Sequence, residues 1–387
     1  MSTSITNFAK KNMMVIALVV VVIFFSITTG GTILYPQNIN NLISQNGYVF
    51  VLATGMLLCI LTGGNIDLAV GSVVCFAGAV GGVMMDNGMP FGIAVVAMLL
   101  TGLAIGAFQG FWIAWISVPP FIATLAGMYA FRGLSNVVLK GFQIGVSDPT
   151  FLKIFGGGAD CYIPDFIGGE LNMTCMVAGI AAIAVYVLLT LRSWSAKKKA
   201  GTATENMTME AAKLVIISAL ILWITYELAQ YKGIPTVLIW IALILLIYGY
   251  ITNYTAIGRY FYAVGGNEKA TRLSGVNTKK VYFIAYANMG LLAGLAGILT
   301  IARAGNTQPT FGQGYEMDAI AACFIGGASA YGGVGKITGV IIGATLMGVI
   351  NQGMSIMGMS ANYQKAAKGV VLLVAVLMDV LSRREKA

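Results

Sequence analysis

No lysine, arginine, aspartate or glutamate occurs from Asn12 to Ile66, and none occurs from Asn87 to Phe131. About 20 apolar residues suffice to cross the hydrocarbon of a bilayer, so each stretch is long enough to cross more than once. Water-soluble packing has no use for such stretches, since a soluble domain carries about 25% charged residues and this chain carries 10%. The 387 residues are therefore read as one transmembrane domain, 1–387, and not as a string of soluble domains. The apolar run Met13–Leu34 follows Lys10 and Lys11 as a signal peptide would. It is too long for a signal h-region and lacks a small-x-small cleavage site, so it reads as an uncleaved first span.

Hydropathy places about twelve spans, near 13–35, 46–63, 67–86, 89–116, 119–139, 172–191, 213–230, 235–252, 280–302, 318–333, 337–357 and 364–381. The expected class is an all-α polytopic membrane protein. Two junctions, Thr62-Gly63-Gly64-Asn65 and Val118-Pro119-Pro120, are tight enough to be breaks within the membrane. An even span count with the N-terminus inside puts both termini in the cytoplasm. It also puts 16 of the 23 basic residues there, including Lys10, Lys11, Lys197–Lys199, Lys213, Arg259, Lys269, Arg272, Lys279, Lys280 and Lys386. The positive-inside rule predicts this bias. Orientation and anionic membrane lipids thus account for the net charge of +9, with no nucleic acid required. The longest outer segment, 140–172, carries four acids and is either a solvated connector or a face for a soluble partner. Cys161 in that segment and Cys175 just beyond leave a disulfide open in an oxidising compartment.

Several chemistries are missing. There is no histidine and no cysteine cluster with metal spacing. The nearest approach to a phosphate loop, Tyr331 to Thr338, has Ala330 in place of the first glycine and Ile337 in place of Ser or Thr. The chain is expected to be a non-catalytic subunit with no metal or cofactor of its own.

Glycines recur at every fourth position in Gly102-Gly106-Gly110 and Gly335-Gly339-Gly343, with further pairs at Gly78/Gly82 and Gly290/Gly294. Such stripes let helix backbones approach closely. An internal echo accompanies them. Gln109-Gly110 and later Gly127 resemble Gln352-Gly353 and later Gly369, and Thr62-Gly63-Gly64 before Gly71 resembles Ile325-Gly326-Gly327 before Gly335. The expectation is a repeat of spans 2–5 in spans 9–12, inverted because seven spans separate partners.

The segment Ile257–Lys280, within the polar loop 253–280, interrupts the apolar pattern. Asn267 is a helix N-cap, Glu268–Ser274 spans two turns, Gly275 is a terminator, and Glu268 stands four before Arg272 in the favourable order for an ion pair. An amphipathic linker is the plain alternative. Ala263-Val264-Gly265-Gly266-Asn267-Glu268-Lys269-Ala270 and Ser274-Gly275-Val276-Asn277 resemble the cytoplasmic motif of bacterial ABC sugar importer permeases of the ribose, xylose and galactose type. Thr62–Ser72, Val118–Leu125, Glu316–Ala322 and the glycines that follow add to the resemblance, in the same order along most of the chain.

The resemblance implies a homodimer that binds a cytoplasmic ABC ATPase, where ATP and Mg are held. It also implies a periplasmic sugar-binding protein and a monosaccharide, pentose or hexose, crossing the inner membrane by alternating access. ATPase coupling would fall on Gly265, Gly266, Asn267, Glu268, Lys269, Arg272, Ser274 and Gly275. Two extra spans in Met173–Gly249 point to the xylose and multiple-monosaccharide branch. A neutral sugar calls for hydrogen-bonding and aromatic surfaces. The candidate lining is Asn65, Gln109, Phe121, Asn288, Asn351 and Gln352, each of which can instead be a helix–helix hydrogen bond. Asp67 and Asp318 lie near span ends, where capping is the alternative role. The rival function is a secondary active transporter working through an intramembrane Asp, with Asp67 as the best candidate.

Overall fold

The computed structural model describes residues 13–199 and 207–384. Lys10, Lys11 and Lys386, which entered the orientation argument, lie outside them. The regular structure of the described residues is helical apart from one pair of two-residue strands. In order, the helices are α1 Met13–Thr28, α2 Pro36–Gln45, α3 Gly47–Leu61, α4 Val70–Asp86, α5 Phe91–Ala114, α6 Pro120–Leu139 and α7 Pro149–Phe155. Next come α8 Met173–Lys199, α9 Met207–Tyr231, α10 Thr236–Tyr254, α11 Ala256–Gly266 and α12 Glu268–Leu273. The last four are α13 Thr278–Ala304, α14 Tyr315–Ile325, α15 Ile337–Ile356 and α16 Ala361–Arg384.

Each expected span holds a helix, but not every helix is a full span. Among the described residues seven are long and apolar enough to cross a membrane, and α2 with α3 forms an eighth, bent by 42°. The expected span 318–333 is corrected: α14 has 11 residues, about 16 Å of helix against about 30 Å of hydrocarbon. Gly327, Gly332 and Gly333 then take positive φ, and the backbone turns back before α15. Thr62–Ala69 is likewise non-helical between α3 and α4, as are residues 115–119 between α5 and α6. The breaks after α3 and α14 meet. Gly333 N–H donates to Leu61 O at 3.0 Å, and a Cβ on Gly332 would lie 2.6 Å from Gly63 N.

The repeat is visible in the packing. α3 and α13 are antiparallel, with Gly55 against Met289 and Leu292, and Cys59 beside Ala285. α4 runs parallel to α13, with Gly297 on Val74 and Gly78 on Ile301. α14 runs parallel to α3, with Tyr48 on Asp318 and Ala53 on Cys323. α5 is antiparallel to α13 through Gly102 and Gly110 against Gly294 and Phe283. α15 is antiparallel to α3, with Leu57 near Gly335 and Asn46 on Asn351. α4 also packs on α5 and α6, and α14 on α15 and α16. Exchanging α3–α6 with α13–α16 maps these contacts onto one another and reverses direction, so the repeat is inverted. The Gln-Gly echo falls in the equivalent helices α5 and α15. The Gly-Gly echo does not: it would pair α4 with α15, and its two turns are instead neighbours.

The glycine stripes are the seam of this arrangement. Cβ atoms on Gly106 and Gly290 would overlap the carbonyl oxygens of Tyr286 and Gly102. Gly339 and Gly343 seat α15 on Gly326 and Ala322 of the α14 end in the same way. The pair α8–α9, the two extra spans, sits outside the repeat and packs mainly on itself and on α2.

The segment 140–172 is folded down rather than free. Ile144 and Gly145 pair antiparallel with Thr307 and Asn306 at the end of α13. Asp148 caps α7 by accepting from Thr150 N and Phe151 N, and Trp240 donates to Ile154 O at 3.0 Å. Asp165 accepts from Thr174 and from the Ile167 and Met173 amides. Desolvation raises its pKa, but these hydrogen bonds outweigh it and hold the carboxyl well below the usual carboxylate range. Cys161 and Cys175 are both free and buried, so no disulfide joins them.

Replacing Gly106 by valine should lower the melting temperature of the detergent-solubilised protein, at an overpacking cost of about 1–3 kcal/mol. Gly92→Ala in the same helix, with nothing within 4 Å of its added Cβ, should leave it unchanged.

Candidate functional site

The polar segment 257–280 folds as two helices with a corner between them. Thr255 caps α11 by accepting from Gly258 N at 3.2 Å. Asn267 caps α12, its side-chain oxygen accepting from Ala270 N at 3.0 Å. Thr271 Oγ1 donates to Ala263 O at 2.8 Å and so ties the second helix to the first. Gly275, at φ 90, ends α12. The sequence reading of cap, two turns and terminator thus matches the local geometry.

The expected Glu268–Arg272 ion pair is not formed. Glu268 instead accepts a hydrogen bond from Tyr282 of α13 at 3.0 Å. Local spacing favours the i,i+4 pair by only about 0.2–0.5 kcal/mol, so a neighbouring hydroxyl competes easily.

What distinguishes the segment is where it rests. Gly265 has no room for a side chain, because a Cβ there would overlap Leu61 O and Gly333 N. A Cβ on Gly333 would come within 2.9 Å of Gly266 N. Tyr262 donates to Gly335 O at 2.9 Å. The α11–α12 corner therefore sits directly on both breaks of the bundle. Beside it lies a pocket of about 570 Å³ bounded by Asn65 of the first break, Ser117–Pro120 of the α5–α6 turn, Glu268, Arg272 and Gly275, and Tyr282. Ser117 in that turn holds φ 62, a conformation that costs a non-glycine residue about 1–3 kcal/mol.

The remaining expected lining residues are not gathered in one cavity. Asp67 is buried and caps the approach to α4 by accepting from Ala69 N at 2.8 Å. Gln109 is buried against Gly127, and its amide has no hydrogen-bond partner among the described residues. Phe121 is 55% exposed at the start of α6. Asn288 accepts from Tyr248, Asn351 donates to Asn46 at 3.2 Å and Gln352 to Asn38 at 3.4 Å. These last three are helix–helix hydrogen bonds.

Asp318 has the strongest set of partners. Fully buried in α14, it accepts from Tyr48 of α3 at 2.6 Å and pairs with Lys368 of α16 at 2.9 Å. Tyr48 stacks on Tyr315 with centroids 3.6 Å apart. Sequence reasoning missed Tyr48, Lys368 and Tyr282, because no local spacing links them to their carboxylates.

A polytopic helical bundle with inverted halves, two mutually satisfied breaks and a polar corner seated on them defines a membrane permease. The chain belongs to the family described as "Branched-chain amino acid transport system / permease component", whose model matches residues 38–376. It is 34% identical over 358 residues to the xylose transport system permease protein XylH of Escherichia coli K12, covering 92% of this chain and 88% of that one. It is also 34% identical over 361 residues to the XylH of Haemophilus influenzae, 93% of each. It is 34% identical over 342 residues to the ribose import permease protein RbsC of E. coli K12, covering 88% of this chain and 85% of that one. No solved structure matches it. The family makes this chain a non-catalytic, multi-pass transport subunit, and the secondary-carrier reading is not favoured.

Breaking the buried pair with Lys368→Met should destabilise the protein by about 3–5 kcal/mol, since it strands the Asp318 charge. Adding Asp318→Asn should recover most of that loss. Thermal unfolding of the two variants in detergent measures both effects.

Proposed function

We propose that this chain is the transmembrane subunit of an ATP-driven, binding-protein-dependent importer that carries a monosaccharide, pentose or hexose, across the bacterial inner membrane by alternating access. The xylose and ribose permeases to which it is similar support the sugar. The single observation that carries the mechanism is the seating of Gly265 and Gly266 on Leu61 and Gly333. Force applied to α12 from outside the bundle reaches both breaks through backbone contact, with no flexible side chain between.

In this reading an ABC ATPase, holding ATP and Mg, docks on the segment around Gly265, Gly266, Asn267, Glu268, Lys269, Arg272, Ser274 and Gly275. The neighbouring pocket beside Asn65 and Ser117–Pro120 receives part of it. Closure of the ATPase pushes the α11–α12 corner. The breaks transmit that movement to α4 and α15, which begin beyond them. Two copies of the chain form the pathway, both termini lie in the cytoplasm, and a periplasmic sugar-binding protein delivers substrate at the end that carries 140–172.

The test is the chain reconstituted with its co-purifying ATPase and binding protein. Gly265→Ala, whose Cβ must push the corner off Leu61 O and Gly333 N, should lower sugar uptake at least about tenfold, a barrier increase of about 1.4 kcal/mol. Glu268→Ala with Arg272→Ala should abolish the stimulation of ATP hydrolysis by loaded binding protein. Unchanged uptake and stimulation in these variants, or uptake without any ATPase, would overturn the proposal.

A further inference from the structure

α6 joins two cavities. Its first residue borders the pocket beside α12, and its last two turns border a second pocket of about 460 Å³ at the opposite end of the bundle. The second pocket lies between α6 and the loop that leads into α14. Its polar lining is Arg132 and Asn136 of α6, Gln143 just beyond, and Gln308, Thr310 and Gln313 of the loop. No aspartate or glutamate lines it.

The Arg132 guanidinium is already committed, donating to Pro309 O at 3.2 Å and to Phe311 O, so it shapes the loop and is not a loose cation. The four amide side chains are not committed, since none makes a side-chain hydrogen bond among the described residues. Arg132 is seven residues from the end of α6, about 10 Å below it. Asn136 is three residues from that end and Gln143 lies beyond it, and both are exposed together with Gln313, so water or a solute reaches them. On the same helix face Tyr129 is 70% exposed, and Gly133 has nothing within 4 Å of an added Cβ. Beside Asn136 that face of α6 is open within one chain.

We infer that this pocket is a sugar-binding subsite on the translocation path, where Asn136, Gln143, Gln308 and Gln313 hydrogen-bond the hydroxyls of a neutral monosaccharide. Amides both donate and accept, which suits hydroxyls. The absence of a carboxylate in the lining gives an α-ammonium group no partner, so the site discriminates against amino acids. The inference rests on the monosaccharide import reading and adds to it the residues that set cargo class.

Asn136→Cys and Gln313→Cys, each in the full chain reconstituted with ATPase and binding protein, provide the test. All five native cysteines are buried, so a membrane-impermeant thiol reagent should report the new one. Saturating xylose should slow modification of both about tenfold, as for a site about nine-tenths occupied. Leucine should not slow it. Asp160→Cys, exposed on the same side and outside the pocket lining, should react at one rate throughout. Xylose uptake with no protection at either cysteine, or cysteines that never react, would overturn the subsite and leave the import reading standing. Uptake and protection by leucine and by no sugar would overturn both.

Discussion

Backbone that leaves the helix inside a membrane must find hydrogen bonds within the protein, and here two such departures supply them to each other. Leu61 O, orphaned at the end of α3, accepts from Gly333 N after the end of α14. The fit requires that neither side carry side chains where the strands of backbone touch, which is why Gly63, Gly64, Gly332 and Gly333 cluster there. From this junction α4 and α15 set out on their own courses, and the α11–α12 corner comes to rest on the same spot. The inverted halves and the surface segment are thus joined at one backbone contact.

The glycine stripes do complementary work. Bringing α5 within backbone contact of α13 maximises dispersion contacts where lipid offers no hydrophobic drive for helix association. The buried Asp318–Lys368 pair with Tyr48 acts differently. It joins α3, α14 and α16 by directed bonds in a region where a misplaced charge is heavily penalised. One device fixes distance and the other fixes register.

Much of this was legible in the residues. Charge-free stretches placed the helices because a bilayer tolerates little else there, and Asn267 with Gly275 bounded α12 because capping is local chemistry. The shortness of α14 was not legible. Gly326-Gly327 stops a helix, as Gly265-Gly266 closes α11, whereas Gly81-Gly82 lies inside α4, so the dipeptide alone does not decide. What decides is whether a neighbouring backbone comes close enough to replace the helical bonds, which is a tertiary fact. The same reason hid the partners of Glu268 and Asp318. Spacing suggested Arg272 for the first and a cap or a sugar for the second, while Tyr282, Tyr48 and Lys368 arrive from other helices. The expected lining was scattered for a related reason, since polar residues in spans serve helix–helix bonds as readily as a pathway.

The interlocking of the halves has a consequence for how the protein is made. α5 presents a bare glycine face whose close partner among the described residues is α13, and about 160 residues of chain, made at about 5–20 residues per second, must follow α5 before that partner begins. α3 likewise waits for α14 and α15. The first half therefore enters the bilayer as a set of helices with unsatisfied seams, and its own core closes only when the second half arrives. The α8–α9 pair, which packs on itself and on α2, can settle during that interval without competing for the seam.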